Sequence, residues 1–189
     1  MQYSKPMQML VEEHEVITSV LDATEFMLAR QDVEFPQDFL EKAFDFFVFY
    51  ADKCHHAKEE GHLFPLMASR GVPQEGGPIG CMLHEHEEGR AHVAAVREAL
   101  KLTAQGDTAA RETVRHEAAA YIALLRQHIF KENNICFPWG DRAMTDEDKQ
   151  DVWRKFLDAE HSVVPPGVRE KYAALAKELA NSCLTPTAV

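Results

Sequence analysis

Two short runs constrain this chain more than anything else in its 189 residues: His56-Ala57-Lys58-Glu59-Glu60 and His128-Ile129-Phe130-Lys131-Glu132. Each sets a histidine four residues ahead of a glutamate inside a strongly helical pattern. Positions i and i+4 share one face of a helix, so each run offers an imidazole and a carboxylate to the same point in space. Apolar residues recur on that face, which makes the point the interior of a bundle. Two such pairs facing each other, joined by histidines from two further helices, would form a dinuclear metal site.

The rest of the chain supplies those helices. Met7 to Ala29 keeps a helical period without Pro or Gly, and Gln31 to Pro36 links it to a Phe-rich helix from Gln37 to Ala68. Arg70-Gly71-Val72-Pro73 and the loop Gln74 to Pro78 follow. A third helix is expected from Ile79 to Thr103 and a fourth from Thr108 to Cys136, closed by Pro138-Trp139-Gly140. Thr145-Asp146-Glu147-Asp148 has the form of an N-cap with an acidic first turn. It opens a helix to about Ala159, and Pro165-Pro166-Gly167 starts a last one to about Ala180. No segment sustains a period of two, so the expectation is an all-α, antiparallel up-down four-helix bundle over residues 1–140. A C-terminal helical extension, 141–189, would pack on the same domain.

Ten histidines are present, and a wheel at about 100° per residue sorts them. On the second helix His56 and Glu60 fall in the stripe of Phe46, Phe49, Tyr50, Lys53, Ala57, Phe64 and Met67. His55, Glu59 and His62 fall opposite, beside Asp52. His128 and Glu132 share a face with Val114, Tyr121, Leu124, Leu125 and Ile135. His14 is flanked by Leu10, Val11 and Ile17, and His86 by Met82, Leu83 and Val93, while His84, His92 and His116 lie off these faces. The expected ligand set is therefore His14, His56, Glu60, His86, His128 and Glu132. An unpartnered carboxylate in an apolar core costs on the order of several kcal/mol, a cost that a pair of cations removes. Tyr121, Tyr50 and Arg90 are the candidates for a surrounding shell, Arg90 either pairing with Glu13, guarding an entrance or standing solvated. No catalytic acid or base is singled out.

The composition excludes other roles. Net charge is −11, and Lys and Arg form no stripe, which argues against nucleic acid. No apolar run approaches the roughly 20 residues of a membrane span. The start of the chain has no signal-peptide pattern, and four scattered cysteines without a C-x-x-C pair suit a reducing cytoplasm.

At these residues the chain resembles the hemerythrin-like, or HHE cation-binding, family. The matching motifs are Leu10-Val11-Glu12-Glu13-His14, the run His55 to Pro65, Glu85-His86-Glu87-Glu88-Gly89-Arg90, and His128 to Glu132 with the Phe137-Pro138 ending. The resemblance implies a left-handed bundle holding two non-heme irons. The inward set H, HxxxE, H, HxxxE is similar to bacterial di-iron proteins of nitric oxide stress and iron-sulfur cluster repair and to peroxide-active relatives. It departs from the oxygen-carrying hemerythrins, which bear a histidine pair on the third helix.

Imidazole and carboxylate suit iron or manganese, with zinc also allowed, including a mononuclear zinc on His56 and His128. With Glu60 and Glu132 bridging and an oxo or hydroxo group between the metals, about two of twelve positions stay open. The expected partner is thus a small diatomic or peroxide: O2, NO or H2O2. Two function classes follow: a redox enzyme of stress defence, or a non-enzymatic oxygen- or iron-binding sensor signalling through its C-terminal helices. A homodimer is compatible with either.

Overall fold

The computed structural model describes residues 3–30, 34–162 and 167–183. Helix α1 runs from Lys5 to Ala29, with Pro6 in its first turn, where the missing N–H costs nothing. The second helical path is continuous from Gln37 to Ser69 but not uniform. It comprises α2 (Gln37–Phe46), π-helical segments at Phe47–His56 and Glu59–Leu63, and α3 (Phe64–Ser69). Helix α4 spans Pro78–Ala104 and α5 spans Ala110–Lys131. A third π-helical segment, Glu132–Cys136, follows α5 without a break and leads into α6 (Phe137–Ala143). Helices α7 (Asp146–Ser162) and α8 (Val168–Ser182) complete the chain. No strand occurs among the described residues, and the fold is an all-α bundle.

Contacts between α4 and α5 run in opposite directions: Glu85 meets His128, Gly89 lies against Tyr121, and His92 meets Glu117. The first and second helices are likewise antiparallel, Met9 meeting Lys58 and Glu13 meeting His55. The fourth helix does not stop at Pro138-Trp139-Gly140 as the sequence pattern suggests. Pro138 falls in the first turn of α6, a position that tolerates it, so the helix passes through to Ala143. Residues 31–33 and 163–166, which include part of the first link and the Pro165-Pro166 start, lie outside the described residues.

The apolar interior has two parts. One gathers Ile17, Leu21, Phe44, Phe47, Val96, Val114 and Leu125, with Tyr172, Ala176 and Leu179 of α8. The other gathers Met7, Leu10, Leu63, Phe64, Met82 and Phe137, with Val152 and Phe156 of α7. Between them, at mid-height of all four long helices, lies a layer of buried polar side chains.

Candidate metal centre

The polar layer contains His14, His55, His56, His86 and His128 with Glu59 and Glu132, every one buried and both glutamates fully so. Two groups of ligand atoms converge there: His14, His55, Glu59 and Glu132 on one side, and His56, Glu59, His86 and His128 on the other. Glu59 belongs to both. Glu132 spans them as well, its Oε2 lying 3.1 Å from His14 Nε2 and 3.2 Å from His128 Nε2.

The imidazoles are held from behind. His14 Nδ1 lies 2.8 Å from Asn133 Oδ1, His55 Nδ1 3.0 Å from Glu13 Oε2, His86 Nδ1 2.6 Å from Glu60 Oε1, and His128 Nδ1 3.0 Å from Glu85 Oε2. Asp52 faces His56 Nδ1 at 3.5 Å, longer than a hydrogen bond. An acceptor at Nδ1 places the proton there and leaves the Nε2 lone pair pointing inward, the arrangement of metal-ligating histidines. The carboxylates behind the imidazoles are backed in turn by cations. Arg90 reaches both Asp52 and Glu60 at 2.7 Å, Lys131 bonds Glu85, and Lys58 bonds Glu13.

These charges fix protonation. Burial opposes the Glu13 charge, but His55 and Lys58 outweigh it and hold its pKa near about 2. Asp52 and Glu85 are also held to about 2: burial is outweighed by His56 and Arg90 for the first and by His128 and Lys131 for the second. At the centre the chain is under electrostatic tension. Burial, and then the neighbouring Glu132, push Glu59 well above the carboxylate range. Burial works against charge on His128 too, yet Glu132 and Glu85 pull it up to about 9.

A divalent or trivalent cation fits this arrangement. All four oxygens of Glu59 and Glu132 are buried without a hydrogen-bond donor, and so are Nε2 of His14, His55 and His56. His86 Nε2 and His128 Nε2 face each other at 3.1 Å, where two lone pairs repel unless a proton or a cation lies between them. Two ligands about 2.1 Å from an ion and at right angles lie roughly 3.0 Å apart, so the pair has the spacing of adjacent ligands on one ion.

The structure brings together five of the six residues singled out in the sequence: His14, His56, His86, His128 and Glu132. Glu60 is a correction. It is half-buried, carries Arg90, and holds His86 from behind. Glu59 and His55, placed by the wheel on the solvent side, are in the centre instead, whereas Lys53 and Ile135, placed inward, are exposed. The cause is the π-helical stretch, whose i→i+5 bonds make each turn wider than an α-helical one. Ala43, Phe47, Ala51, His55, Glu59, Leu63 and Met67 are all buried at a strict spacing of four. A wheel at about 100° per residue would rotate that row by about 40° per step and carry it off the core face. One signal for the correct register is legible: His55-x3-Glu59-x4-Phe64-Pro65 repeats as His128-x3-Glu132-x4-Phe137-Pro138. Arg90 does not meet Glu13 but bonds Asp52, Glu60 and Glu87. Tyr50 stacks on Phe46 in the core.

A cavity of about 180 Å³ reaches the His56, His86 and His128 side of the centre. Its walls include Phe47, Val93, Tyr121 and Leu124, with Asp52, Arg90 and Arg97 among its polar residues. Gly89 lines it opposite Tyr121, and a Cβ there would stand 3.5 Å from the Tyr121 ring. Burial, and then Asp52, raise the Tyr121 pKa and keep its phenol neutral.

A helical bundle whose interior carries a histidine and carboxylate layer at mid-height belongs to the metal-binding bundle proteins. The chain is a member of the hemerythrin family: a family model described as hemerythrin HHE cation binding domain matches residues 5–140. It is 25% identical to an uncharacterized protein of Mycobacterium tuberculosis over 154 residues, which cover 80% of this chain and 60% of that one. An uncharacterized protein of Mycobacterium bovis matches to the same extent. Iron-sulfur cluster repair protein YtfE of Dickeya chrysanthemi is 33% identical over 86 residues, 44% of this chain and 39% of its own. The chain thus spans about 60% of the length of the mycobacterial relatives. No solved structure matches it.

Proposed function

We propose that the centre holds two non-heme iron ions and that the protein binds or reacts with O2, peroxide or NO. The observation that carries this reading is the pairing of five imidazoles, turned Nε2-inward, with two buried carboxylates that have no protein donor. His14 and His55 would hold one ion; His56, His86 and His128 would hold the other; Glu59 and Glu132 would serve both. Nitrogen and carboxylate donors select iron or manganese over thiolate-seeking metals. Five imidazole nitrogens and four carboxylate oxygens leave about three of roughly twelve octahedral positions for solvent or an incoming ligand. Bound iron would supply one-electron redox chemistry and a place for a small ligand to coordinate.

The chain's own residues do the rest. Asn133, Glu13, Glu60 and Glu85 keep the proton on Nδ1 of four of the histidines. Arg90, Lys131 and Lys58 keep the supporting carboxylates ionised. The cavity beside His56, His86 and His128 admits a molecule the size of a diatomic or peroxide, and its apolar walls limit the water that follows. Likeness over part of the chain to an iron-sulfur cluster repair protein supports a role in such repair.

Iron-loaded protein should contain two ions per chain by metal analysis and show an absorption band that the metal-free chain lacks. Exposure to peroxide and NO should then consume them faster than with a His56→Ala/His128→Ala variant. Reversible O2 binding without turnover would shift the assignment to a sensor or storage module. A chain recovered metal-free from iron-supplemented cells would refute the proposal.

A further inference from the structure

We propose that Arg169 of α8 is a positioning residue for the metal centre, acting through the Glu13 carboxylate on His55. The inference rests on the di-metal reading and adds to it a role for a helix outside residues 5–140, the span of the family match.

Three groups converge on Glu13, which is 1% exposed. His55 Nδ1 donates to Oε2 at 3.0 Å, while Lys58 Nζ and Arg169 Nη2, the latter at 3.3 Å, donate to Oε1. The two oxygens therefore have separate tasks: one orients an imidazole and the other is pinned by cations. Lys58 sits three residues beyond His55 on the same helical path, so alone it would tie Glu13 only to the element that carries the imidazole. Arg169 ties the carboxylate to a second element through a single charge-assisted bond.

That second element is firmly seated. Gly167, at φ +83°, turns the chain into α8. Tyr172, Ala176 and Leu179 then bury themselves in the larger core. Tyr172 donates its hydroxyl to Asp45 at 2.6 Å and stacks on Phe49 with ring centres 5.2 Å apart. The docked helix delivers Arg169 to Glu13. The cations behind the other carboxylates, Arg90 and Lys131, come from α4 and α5 within the matched span. Among the described residues, Glu13 is the supporting carboxylate whose cations include one from beyond that span.

The test is metal release from the full chain. Wild-type protein loaded with two ions per chain is mixed with excess chelator, and loss of each equivalent is timed by absorbance and metal analysis. Removing a partner one step behind a ligating histidine typically costs 10–100-fold in affinity, so R169M, one step further back, should release one of its two equivalents about 5–10-fold faster. R169K should stay near wild type. E13Q should release that same equivalent at least as fast as R169M, and adding R169M to E13Q should accelerate it no further. Release of both equivalents from R169M at the wild-type rate would overturn the proposal. So would equal acceleration of both ions, or an R169M effect undiminished in the E13Q background, since either marks a general loosening of the fold. A wild-type chain that takes up no ion pair refutes the metal reading itself, and this inference with it.

Discussion

Glu59 presents two buried oxygens to the centre without a donor on either, while Glu60 is half-buried and held by His86 and Arg90. The two residues are adjacent and chemically identical, so their substitutions separate ligation from support. E59Q removes a charge shared by both groups of ligands, and it should leave fewer than two ions per chain by metal analysis. In the metal-free state Glu59 must take up a proton to sit buried beside Glu132, and glutamine removes that cost, so metal-free E59Q should melt at or above the temperature of metal-free wild type. E60Q should retain both ions but with affinity reduced about 10–100-fold, through a looser His86. Full retention by E59Q, or loss of both ions from E60Q, would reverse the assignment of the two. At this scale the sequence spoke clearly on α1, α4 and α5, where an α-helical wheel turned His14, His86 and His128 inward as the structure does, and with them Glu132 one residue past the end of α5. On the second helix it turned His56 inward but misplaced His55, Glu59 and Glu60, because a wheel assumes one period throughout.

In two of the three π-helical segments, Glu59–Leu63 and Glu132–Cys136, the wide turn runs into a proline. Phe64 N–H bonds back five residues to the Glu59 carbonyl, and Phe137 N–H does the same to Glu132. The next residue in each case is a proline, Pro65 or Pro138, which has no N–H to restore the tighter i→i−4 pattern and whose ring crowds the carbonyl four residues back. Each wide turn is thus placed directly after a ligating glutamate. P65A supplies the missing donor at an exposed position and should let the turn relax toward α-helical spacing, rotating Glu59 against Phe64. The metal-free variant should be as stable as wild type or more so, yet release its metal faster to a chelator; unchanged release would separate the π-helical turn from ligand placement. Helix α7 shows the opposite case, where a local signal was sufficient. Thr145 Oγ1 accepts the Asp148 N–H at 3.2 Å, the N-cap expected from the sequence, and the structure adds a return bond in which Asp148 Oδ2 accepts the Thr145 N–H at 2.9 Å. T145A should cost about 1 kcal/mol in denaturant unfolding of the metal-free chain.

Across the whole molecule the polar layer divides the apolar interior in every long helix. His14 lies between Leu10 and Ile17, Glu59 between Ala51 and Leu63, His86 between Met82 and Val93, and Glu132 between Leu125 and Cys136. Metal binding would therefore cross-link two cores that otherwise meet through unsatisfied groups. An ion at about a thousand times its dissociation constant adds about 4 kcal/mol, or roughly 10 °C in a chain of this size. Acid should dismantle the molecule in two steps. Imidazoles bind metal only when neutral, and His128, which Glu132 and Glu85 pull up to about 9, takes a proton well before the supporting carboxylates do, so the ions should leave first. Glu13, Asp52 and Glu85 have folded pKa values held down to about 2. Their stabilisation is present in full above the unfolded carboxylate value of about 4 and is lost as pH drops from there toward 2. Absorbance of the loaded centre should consequently disappear at a higher pH than the helical circular dichroism. Coincident transitions would mean that the fold does not outlast its metal, and that these three carboxylates, without the ions, do not hold the bundle together.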